Sequence, residues 1–264
     1  MRIKLFFIVI HFLFIASCFG QKQNNIWYFG NKAGIDFSSG AAVAVSSPVM
    51  GATEGTSVIC DTSGALLFYT DGLRVWNKNH VLMPNGTGLL GGASTSQVLI
   101  VPKPQSATIY YIFHVGDHNG PKDLRYTVVD MCLAGGLGDV VAAEKNVLFG
   151  QPFAEKIMAV PAINGRDIFL VTHRLSSNAF YSYRILPSGI NMVPIQSFAG
   201  PTHASDQMIG CMNASHDGKK LAVAVTMNGG HLYMYDFSSF DGSVSNAVDL
   251  SSTFSIQSDG WYDM

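Results

Sequence analysis

One tight turn, one apolar strand and a second tight turn follow one another in Asp61-Thr62-Ser63-Gly64-Ala65-Leu66-Leu67-Phe68-Tyr69-Thr70-Asp71-Gly72. Gly64 completes the first turn, and Asp71-Gly72 is a strong hairpin signal, because glycine accepts the positive φ that such turns require. The strand between the turns, Leu66 to Tyr69, is continuously apolar, as expected of a strand with both faces covered. This stretch therefore predicts an antiparallel sheet packed between other sheets.

The same pattern of strand, tight turn and apolar strand recurs three more times along the chain. Its spacing of roughly 40–60 residues lies in the range of β-propeller blades. A further copy begins at Gly260 and reaches Met264. The sequence thus predicts an all-β fold, a β-propeller of four-stranded antiparallel blades that is incomplete, with about four or five blades present. The later turns and apolar strands are Pro104-Gln105-Ser106 with Ile109 to Phe113, Ile163-Asn164-Gly165 with Ile168 to Val171, and Ser215-His216-Asp217-Gly218 with Leu221 to Val225.

A four-stranded sheet with two apolar faces cannot bury both by itself, and stacking such sheets around an axis covers them. The alternative fold is a set of β-sandwich modules, in which each strand would alternate more cleanly between apolar and polar residues. No stretch keeps a sustained period of 3.6 residues, so few helices are expected.

The composition favours a turn-rich β protein. Only 13% of the 264 residues are charged, against about 25% in an average soluble domain. Helical bundles and coiled coils need more Glu, Lys, Leu and Ala than this chain has. The formal net charge of −2 provides no electrostatic attraction for nucleic acid, so no nucleic-acid partner is expected.

The first twenty residues have the pattern of a secretory signal peptide: basic Arg2 and Lys4, an apolar run, then small residues. Cleavage after Gly20 would leave a propeller domain over residues 21–264, which we expect to be truncated at its C-terminus. In the alternative, Ile15-Ala16-Ser17-Cys18 is a lipobox and Cys18 carries a lipid anchor. No second apolar stretch is long enough for a transmembrane helix, so an exported chain without a membrane span is expected.

The strand and turn motifs of residues 25–264 resemble the WD40-like propeller region of secreted and surface proteins of Bacteroidetes bacteria. Relatives of that kind are associated with gliding motility or adhesion, carry PKD-type modules and leave the cell by type IX secretion. The resemblance implies about seven blades in a closed ring, which is more than the chain contains. The motifs that carry the likeness are Asn25-Ile26-Trp27-Tyr28-Phe29-Gly30, Ala33-Gly34-Ile35-Asp36-Phe37, Gly64 to Gly72 with Val75-Trp76-Asn77, Leu99 to Pro104 with Ile109 to Phe113, Asn178 to Tyr183, and Ser215 to Ala222.

The N-terminal strands are candidates to complete the last blade and close the ring. A gene fragment is the expected reason for the small number of blades, and an open partial propeller is the alternative. An open ring would leave two unpaired sheet edges, which are aggregation sites.

Catalytic, metal and cofactor motifs are weak in this chain, and none is expected to be functional. The histidines are scattered among strands and turns, and the turn aspartates have a backbone-capping role. The cysteines that follow the signal, Cys60, Cys132 and Cys211, are odd in number and predict no disulfide framework. No Gly-x-Ser-x-Gly elbow is present, and the glycine run from Gly135 to Gly138 lacks the Lys-Ser/Thr of a phosphate loop. The pairs Glu54/Asp61 and Asp139/Glu144 are interpreted as surface turns rather than glycosidase carboxylates.

Binding is expected at one mouth of the ring, where the loops between blades converge. These loops should be Gly51–Thr56, Gly91–Ser96, Gln151–Lys156 and Pro201–Met208. Their polar members, proposed as binding residues, are Thr53, Glu54, Glu155, Lys156 and Asp206.

The sequence therefore predicts a non-catalytic, exported scaffold that binds a protein or glycan ligand at the cell surface, without a cofactor. One alternative is an extracellular propeller enzyme that acts on a carbohydrate or lactone. Another is a gene fragment without function.

Overall fold

The computed structural model describes residues 22–46, 49–52, 54–91, 98–116, 120–204, 207–226 and 230–253. Nearly all regular structure in these residues is β-strand, and the helical segments are 3-10 turns of three residues. This confirms the all-β prediction. The strands form five antiparallel sheets, which are the five blades of a β-propeller. The 3-10 turns are Lys22–Asn24, Ala134–Gly136, Ala142–Glu144 and Ser251–Thr253.

The first two blades come from the first third of the chain. Blade 1 has three strands in the order β1-β2-β3, and blade 2 has four in the order β4-β5-β6-β7. Blade 1 consists of β1 (Ile26–Phe29), β2 (Ala33–Asp36) and β3 (Val43–Val45); blade 2 of β4 (Ser57–Cys60), β5 (Leu66–Thr70), β6 (Arg74–Asn77) and β7 (Leu82–Thr87).

Blades 3 and 4 each have five strands, because the outermost strand of the four-stranded pattern is split in two. In blade 3 both β11 and β12 pair with β10, and in blade 4 both β16 and β17 pair with β15. Blade 3 consists of β8 (Val98–Pro102), β9 (Ile109–Val115), β10 (Leu124–Asp130), β11 (Asp139–Val140) and β12 (Val147–Gly150); blade 4 of β13 (Phe153–Pro161), β14 (Ile168–Arg174), β15 (Ser177–Leu186), β16 (Gly189–Ile190) and β17 (Ile195–His203).

Blade 5 has four strands in the order β18-β19-β20-β21. They are β18 (Met212–Ala214), β19 (Lys220–Val225), β20 (His231–Phe237) and β21 (Val244–Asp249). Within the described residues, no strand of blade 1 pairs with blade 5. The N-terminal strands form a sheet of their own beside blade 2. The partial copy that begins at Gly260, whose blade these strands were expected to complete, lies outside the described residues, so this closure of the ring stays a prediction. Tyr28 joins this sheet to blade 2, because its ring packs against Tyr69 of blade 2 at a centroid distance of 5.1 Å.

Apolar clusters fill the seams between successive blades. The seam between blades 1 and 2 contains Tyr28, Met50, Tyr69 and Trp76. The next three seams are larger, and their members come from both adjoining sheets, so each blade between two others is covered on both faces. The largest fully buried side chains in these three seams are Phe68, Met83 and Ile112; Phe113, Leu124 and Phe153; and Phe169, Phe180 and Tyr235.

The innermost strands set the order of the blades, because β4 lies beside β8, β8 beside β13 and β13 beside β18. At the start of this series, Trp27 and Phe29 lie on the face of β1 that points away from Tyr28 and blade 2, because neighbouring side chains alternate between faces. They are 53% and 42% exposed.

No helix in the described residues is long and apolar enough to cross a bilayer. The predicted signal peptide, residues 1–20 with Cys18, lies outside the described residues.

Asp139 links blades 2 and 3 through a buried carboxylate. Its oxygens accept hydrogen bonds from the backbone N–H of Asn85 at 2.9 Å, from Asn85 Nδ2 at 2.8 Å and from the N–H of Val140 at 2.8 Å. Asn85 belongs to β7 and Asp139 to β11, so the contact joins the outer strands of two blades. A buried charged acceptor of this kind stabilises the fold because its donors would otherwise be unsatisfied.

We predict that Asp139→Ala lowers the free energy of unfolding by about 2–3 kcal/mol, because it removes the acceptor of the buried N–H of Val140 and of two part-buried donors of Asn85. Chemical denaturation of the wild type and the variant measures the difference. Asp241→Ala is the matched control, since the Asp241 carboxylate accepts hydrogen bonds from the N–H and the hydroxyl of Ser243 within an exposed turn, and it should cost less than about 1 kcal/mol. Equal losses for the two variants would contradict a role for Asp139 between blades.

Candidate functional site

The connections of the propeller divide its surface into two ends. Successive strands of a blade are antiparallel, so the connectors between blades and the turn between second and third strands share one end, which we call the loop end. The turns between first and second strands lie at the other end, which we call the turn end. The described residues of the four segments expected to form the mouth lie between successive blades at the loop end, although Phe153–Lys156 and Pro201–His203 are parts of strands.

Three of the five proposed binding residues lie in the part of the chain that the structure describes. Thr53 and Asp206 lie outside the described residues. Glu54 is partly buried in the connector that leads to blade 2. Glu155 and Lys156 are fully buried in β13, so they are not loop residues. They differ from the expectation because β13 begins at Phe153, whose side chain packs in the seam between blades 3 and 4.

A β-bulge in β13 determines the direction of the Lys156 side chain. Phe153 pairs with Arg174 and Ile157 pairs with Thr172, so three residues of β13 oppose one residue of β14. A bulge bends its strand and redirects its side chains. Here it aims the ammonium group of Lys156 at the connector between blades 4 and 5.

In the described part of that connector, Lys156 binds three main-chain oxygens. Its Nζ donates hydrogen bonds to the carbonyl oxygens of Gln207 at 3.2 Å, Met208 at 2.8 Å and Ile209 at 3.2 Å. The N–H of Glu155 donates to the same Met208 oxygen at 3.1 Å. Burial lowers the pKa of Lys156 to about 7, and the neighbouring Glu155 and Cys211 raise it in part. We call this arrangement the lysine clamp.

A stack of four rings runs beside the lysine clamp from the interior to the surface. His173 and His203 stack at 4.2 Å, His203 and Tyr233 at 5.9 Å, and Tyr233 and His231 at 5.6 Å. His173 and His203 are buried, and burial is the main reason why the pKa of His203 falls to about 3 and that of His173 falls well below its usual value. Both imidazoles are therefore neutral at neutral pH.

The chemistry of this cluster is limited by its surroundings. A buried lysine with a lowered pKa is a typical nucleophile or base, but the Lys156 amine is held by three carbonyls and is fully buried. Neutral histidines are good metal ligands, yet the described residues contain no group of three or more His, Cys, Asp or Glu side chains that could hold a metal ion. The arrangement therefore fixes the path of the connector between blades 4 and 5.

A cleft of about 240 Å³ opens at the loop end between blades 2 and 3. Much of its wall is main chain, because glycines allow close approach. A Cβ atom on Gly91 would lie 2.4 Å from the oxygen of Gly72, and one on Gly116 would lie 1.9 Å from the oxygen of Pro121. Leu73, Leu89 and Leu90 supply apolar side chains. We call this site the loop-end cleft.

The polar groups of the loop-end cleft are already paired. Arg125 Nη2 lies 2.6 Å from Asp123 Oδ2, and Arg125 Nη1 donates to the carbonyl oxygen of Asn146 at 2.9 Å. His114 lies opposite Arg125 on the neighbouring strand, and burial lowers its pKa to about 4. Because these groups are engaged with each other or neutral, the cleft offers mainly apolar contact to a ligand.

The carboxylate pairs considered in the sequence, Glu54/Asp61 and Asp139/Glu144, either lie at opposite ends of the propeller or have structural roles. Glu54 lies in a connector at the loop end, whereas Asp61 follows β4 at the turn end and accepts hydrogen bonds from Ser63 and Ala65. Asp139 is occupied by Asn85 and Val140, and Glu144 is exposed.

The glycine run from Gly135 to Gly138 forms a 3-10 turn with internal hydrogen bonds. The N–H groups of Gly136 and Gly138 both donate to the oxygen of Leu133. They are therefore turned inward, away from any phosphate.

The three described cysteines that follow the signal are free thiols, and two of them, Cys60 and Cys211, are buried.

Sequence reasoning missed the loop-end cleft and the ring stack. Asp123 and Arg125 are two residues apart at the start of a strand, which places both on one face, and this spacing is a usable signal. His173 and His203 are thirty residues apart in the sequence, and no local pattern predicts their contact.

No protein-family model matches this chain, and no curated protein matches it. Among solved structures, a Bacteroides uniformis protein named as a candidate 6-phosphogluconolactonase is 12% identical. The alignment covers 83% of this chain and 77% of that chain, with a TM-score of 0.38. A likeness at this level assigns neither a family nor an activity.

We predict that Lys156→Met changes how stability depends on pH. The folded-state pKa of Lys156 is about 7, below its unfolded value of about 10.4, so between these values the unfolded chain holds one more proton at this residue. The unfolding free energy of the wild type relative to the variant should therefore rise by about 1.4 kcal/mol per pH unit between pH 7 and 9.

Urea unfolding at pH 7, 8 and 9 measures this difference. Lys219→Met is the control, because the Lys219 side chain is 74% exposed, and its curve should run parallel to that of the wild type. A parallel curve for Lys156→Met would show that the amine is charged throughout.

Proposed function

We propose that this chain is a non-catalytic, exported binding scaffold at the cell surface, and that its loop-end cleft holds an apolar segment of a partner protein. The observation that carries the proposal is the pairing of Arg125 with Asp123 and with the carbonyl oxygen of Asn146. Because these charged groups hold the wall of the cleft together, the surface that the cleft offers to a ligand is mainly apolar. Leu90, on the rim, is 54% exposed.

The way the cleft is built supports binding. Its side chains come from connectors and turns that are fixed at both ends by strands of blades 2 and 3. Loops on a rigid frame are the usual carriers of recognition, because they vary without disturbing the core. Apolar side chains that fill a preformed cleft are typical anchors of protein–protein interfaces.

The cellular setting of the proposal comes from the sequence. The basic and apolar N-terminus supports export, and the resemblance to Bacteroidetes surface proteins supports a role in gliding motility or adhesion, with type IX secretion as the route. Lipid attachment at Cys18 is the alternative to cleavage after Gly20.

The enzyme alternative is less well supported. Glycoside hydrolysis needs two carboxylates about 5–10 Å apart across the substrate. Asp139 is occupied by Asn85, and Asp61 caps its own turn. Neither residue lines the loop-end cleft.

We predict that a photo-crosslinking amino acid in place of Leu90 captures one discrete partner on the cells that produce the protein. With that partner purified, Leu90→Asp should weaken binding at least about tenfold, because it buries a charge in an apolar contact. Binding is measured by surface plasmon resonance with the full chain.

Val81 is the matched control, since it is 58% exposed and lies at the turn end of the same blade. A crosslinker at position 81 should capture nothing, and Val81→Asp should leave the affinity unchanged. Turnover of an ester, lactone or glycoside by the purified protein, abolished by Asp123→Asn, would contradict the scaffold and favour an enzyme.

A further inference from the structure

A second cleft, of about 450 Å³, opens between blades 3 and 4 toward the turn end. One wall is the face of blade 3, where Tyr111 of β9 and Tyr126 of β10 meet edge to face at 6.0 Å. The opposite wall is the turn between β15 and β16, with Ser188 and Ile190, followed by Met192. We call this site the turn-end cleft. It is separated from the loop-end cleft by the full thickness of blade 3.

The polar groups of the turn-end cleft are free to meet a ligand. Lys103, Asp130 and Glu144 line it, and no ion pair in the described part of the chain involves any of them. Asp130 uses one oxygen to accept the N–H of Cys132. Neither tyrosine hydroxyl has a hydrogen-bond partner among the described residues. This is the reverse of the loop-end cleft, where the charged groups are paired with each other.

The tyrosines remain hydrogen-bond donors at neutral pH. Burial raises the pKa of both Tyr111 and Tyr126, and the Glu144 carboxylate raises it further. Their hydroxyls are therefore protonated, and each can donate one hydrogen bond and accept others. The carboxylates accept, and the ammonium group of Lys103 donates.

Charges of both signs line the turn-end cleft, so the lining favours neither a cationic nor an anionic ligand. A cationic ligand would meet Lys103 in the same cleft, and an anionic ligand would meet Asp130 and Glu144. A neutral ligand with several hydroxyl groups can use all three charged groups as well as the tyrosines. Its carbon-bound hydrogens would pack against the apolar side chains of the walls, Ile109, Val128, Ile190 and Met192.

We propose that the turn-end cleft binds a neutral glycan through one or two of its sugar rings. Sugar rings combine an apolar face with many hydroxyl groups, which is the complement of this lining. The volume lies within the range of small-molecule pockets, about 300–1,000 Å³.

The experiment is titration calorimetry of the full chain with four neutral hexasaccharides: maltohexaose, cellohexaose, xylohexaose and laminarihexaose. At least one should bind. Glu144→Gln and Tyr126→Phe should each weaken that binding about three- to tenfold, because each removes one hydrogen-bonding or charged group. Ser188→Trp should abolish it by filling the cleft from an exposed turn.

Lys103→Gln should weaken binding to a similar degree, and Lys219→Gln, in an exposed turn of blade 5, is its matched control and should not. Circular dichroism and urea unfolding verify that each variant is folded. Failure of all four hexasaccharides to bind overturns the proposal, as does binding that Glu144→Gln and Ser188→Trp leave unchanged. Preferential binding of hexalysine or of an oligogalacturonate overturns it too, since it means that the ligand is charged.

The two proposed sites can be tested separately. Ser188→Trp should leave crosslinking from position 90 unchanged, and Leu90→Asp should leave hexasaccharide binding unchanged. Loss of both functions in either variant points to a folding defect, which unfolding curves identify.

Discussion

Each sheet of this chain has apolar side chains on both faces, and the only cover available to most of them is the neighbouring sheet. This constraint explains why the buried clusters lie between blades rather than within them. It also explains the low charge of the sequence, because few strand positions face water. Both clefts follow from it, since they open where the faces of two blades diverge beyond their shared cluster.

The strands and their order within each blade could be predicted from the sequence, and the contacts between blades could not. Continuous apolar runs such as Ile168 to Val171 reveal strands that are covered on both sides, and the Asp71-Gly72 turn reveals a hairpin. The beginning of β13 was placed too late because its first residues include Glu155 and Lys156, whose charges are typical of loops. The bulge and the carbonyl ligands that make their burial tolerable are tertiary features, with no local signature.

The N-terminal strands illustrate the same limit. Their strand character is clear from Ile26 to Phe29, but the sequence does not state which sheet they join. Their position is determined by Tyr28, whose side chain packs against Tyr69 and Met50 in the seam between blades 1 and 2. The candidate sites were harder still to predict, because a cleft between blades takes its lining from segments far apart in the chain. Lys103 and Ser188 share the turn-end cleft although more than eighty residues separate them in the sequence.

Among the described residues, the lysine clamp holds its connector by the main-chain oxygens of Gln207, Met208 and Ile209. Every amino acid has the same main-chain oxygen, so the clamp itself does not depend on the side chains at these positions. The Gln207 side chain has a separate role, because its Oε1 accepts the N–H of Ala204 at 2.9 Å. Descendants of this gene could therefore vary exposed side chains of the connector that take part in neither contact. The rim of the ring at that point is a natural position for evolutionary drift, or for grafting a foreign recognition sequence.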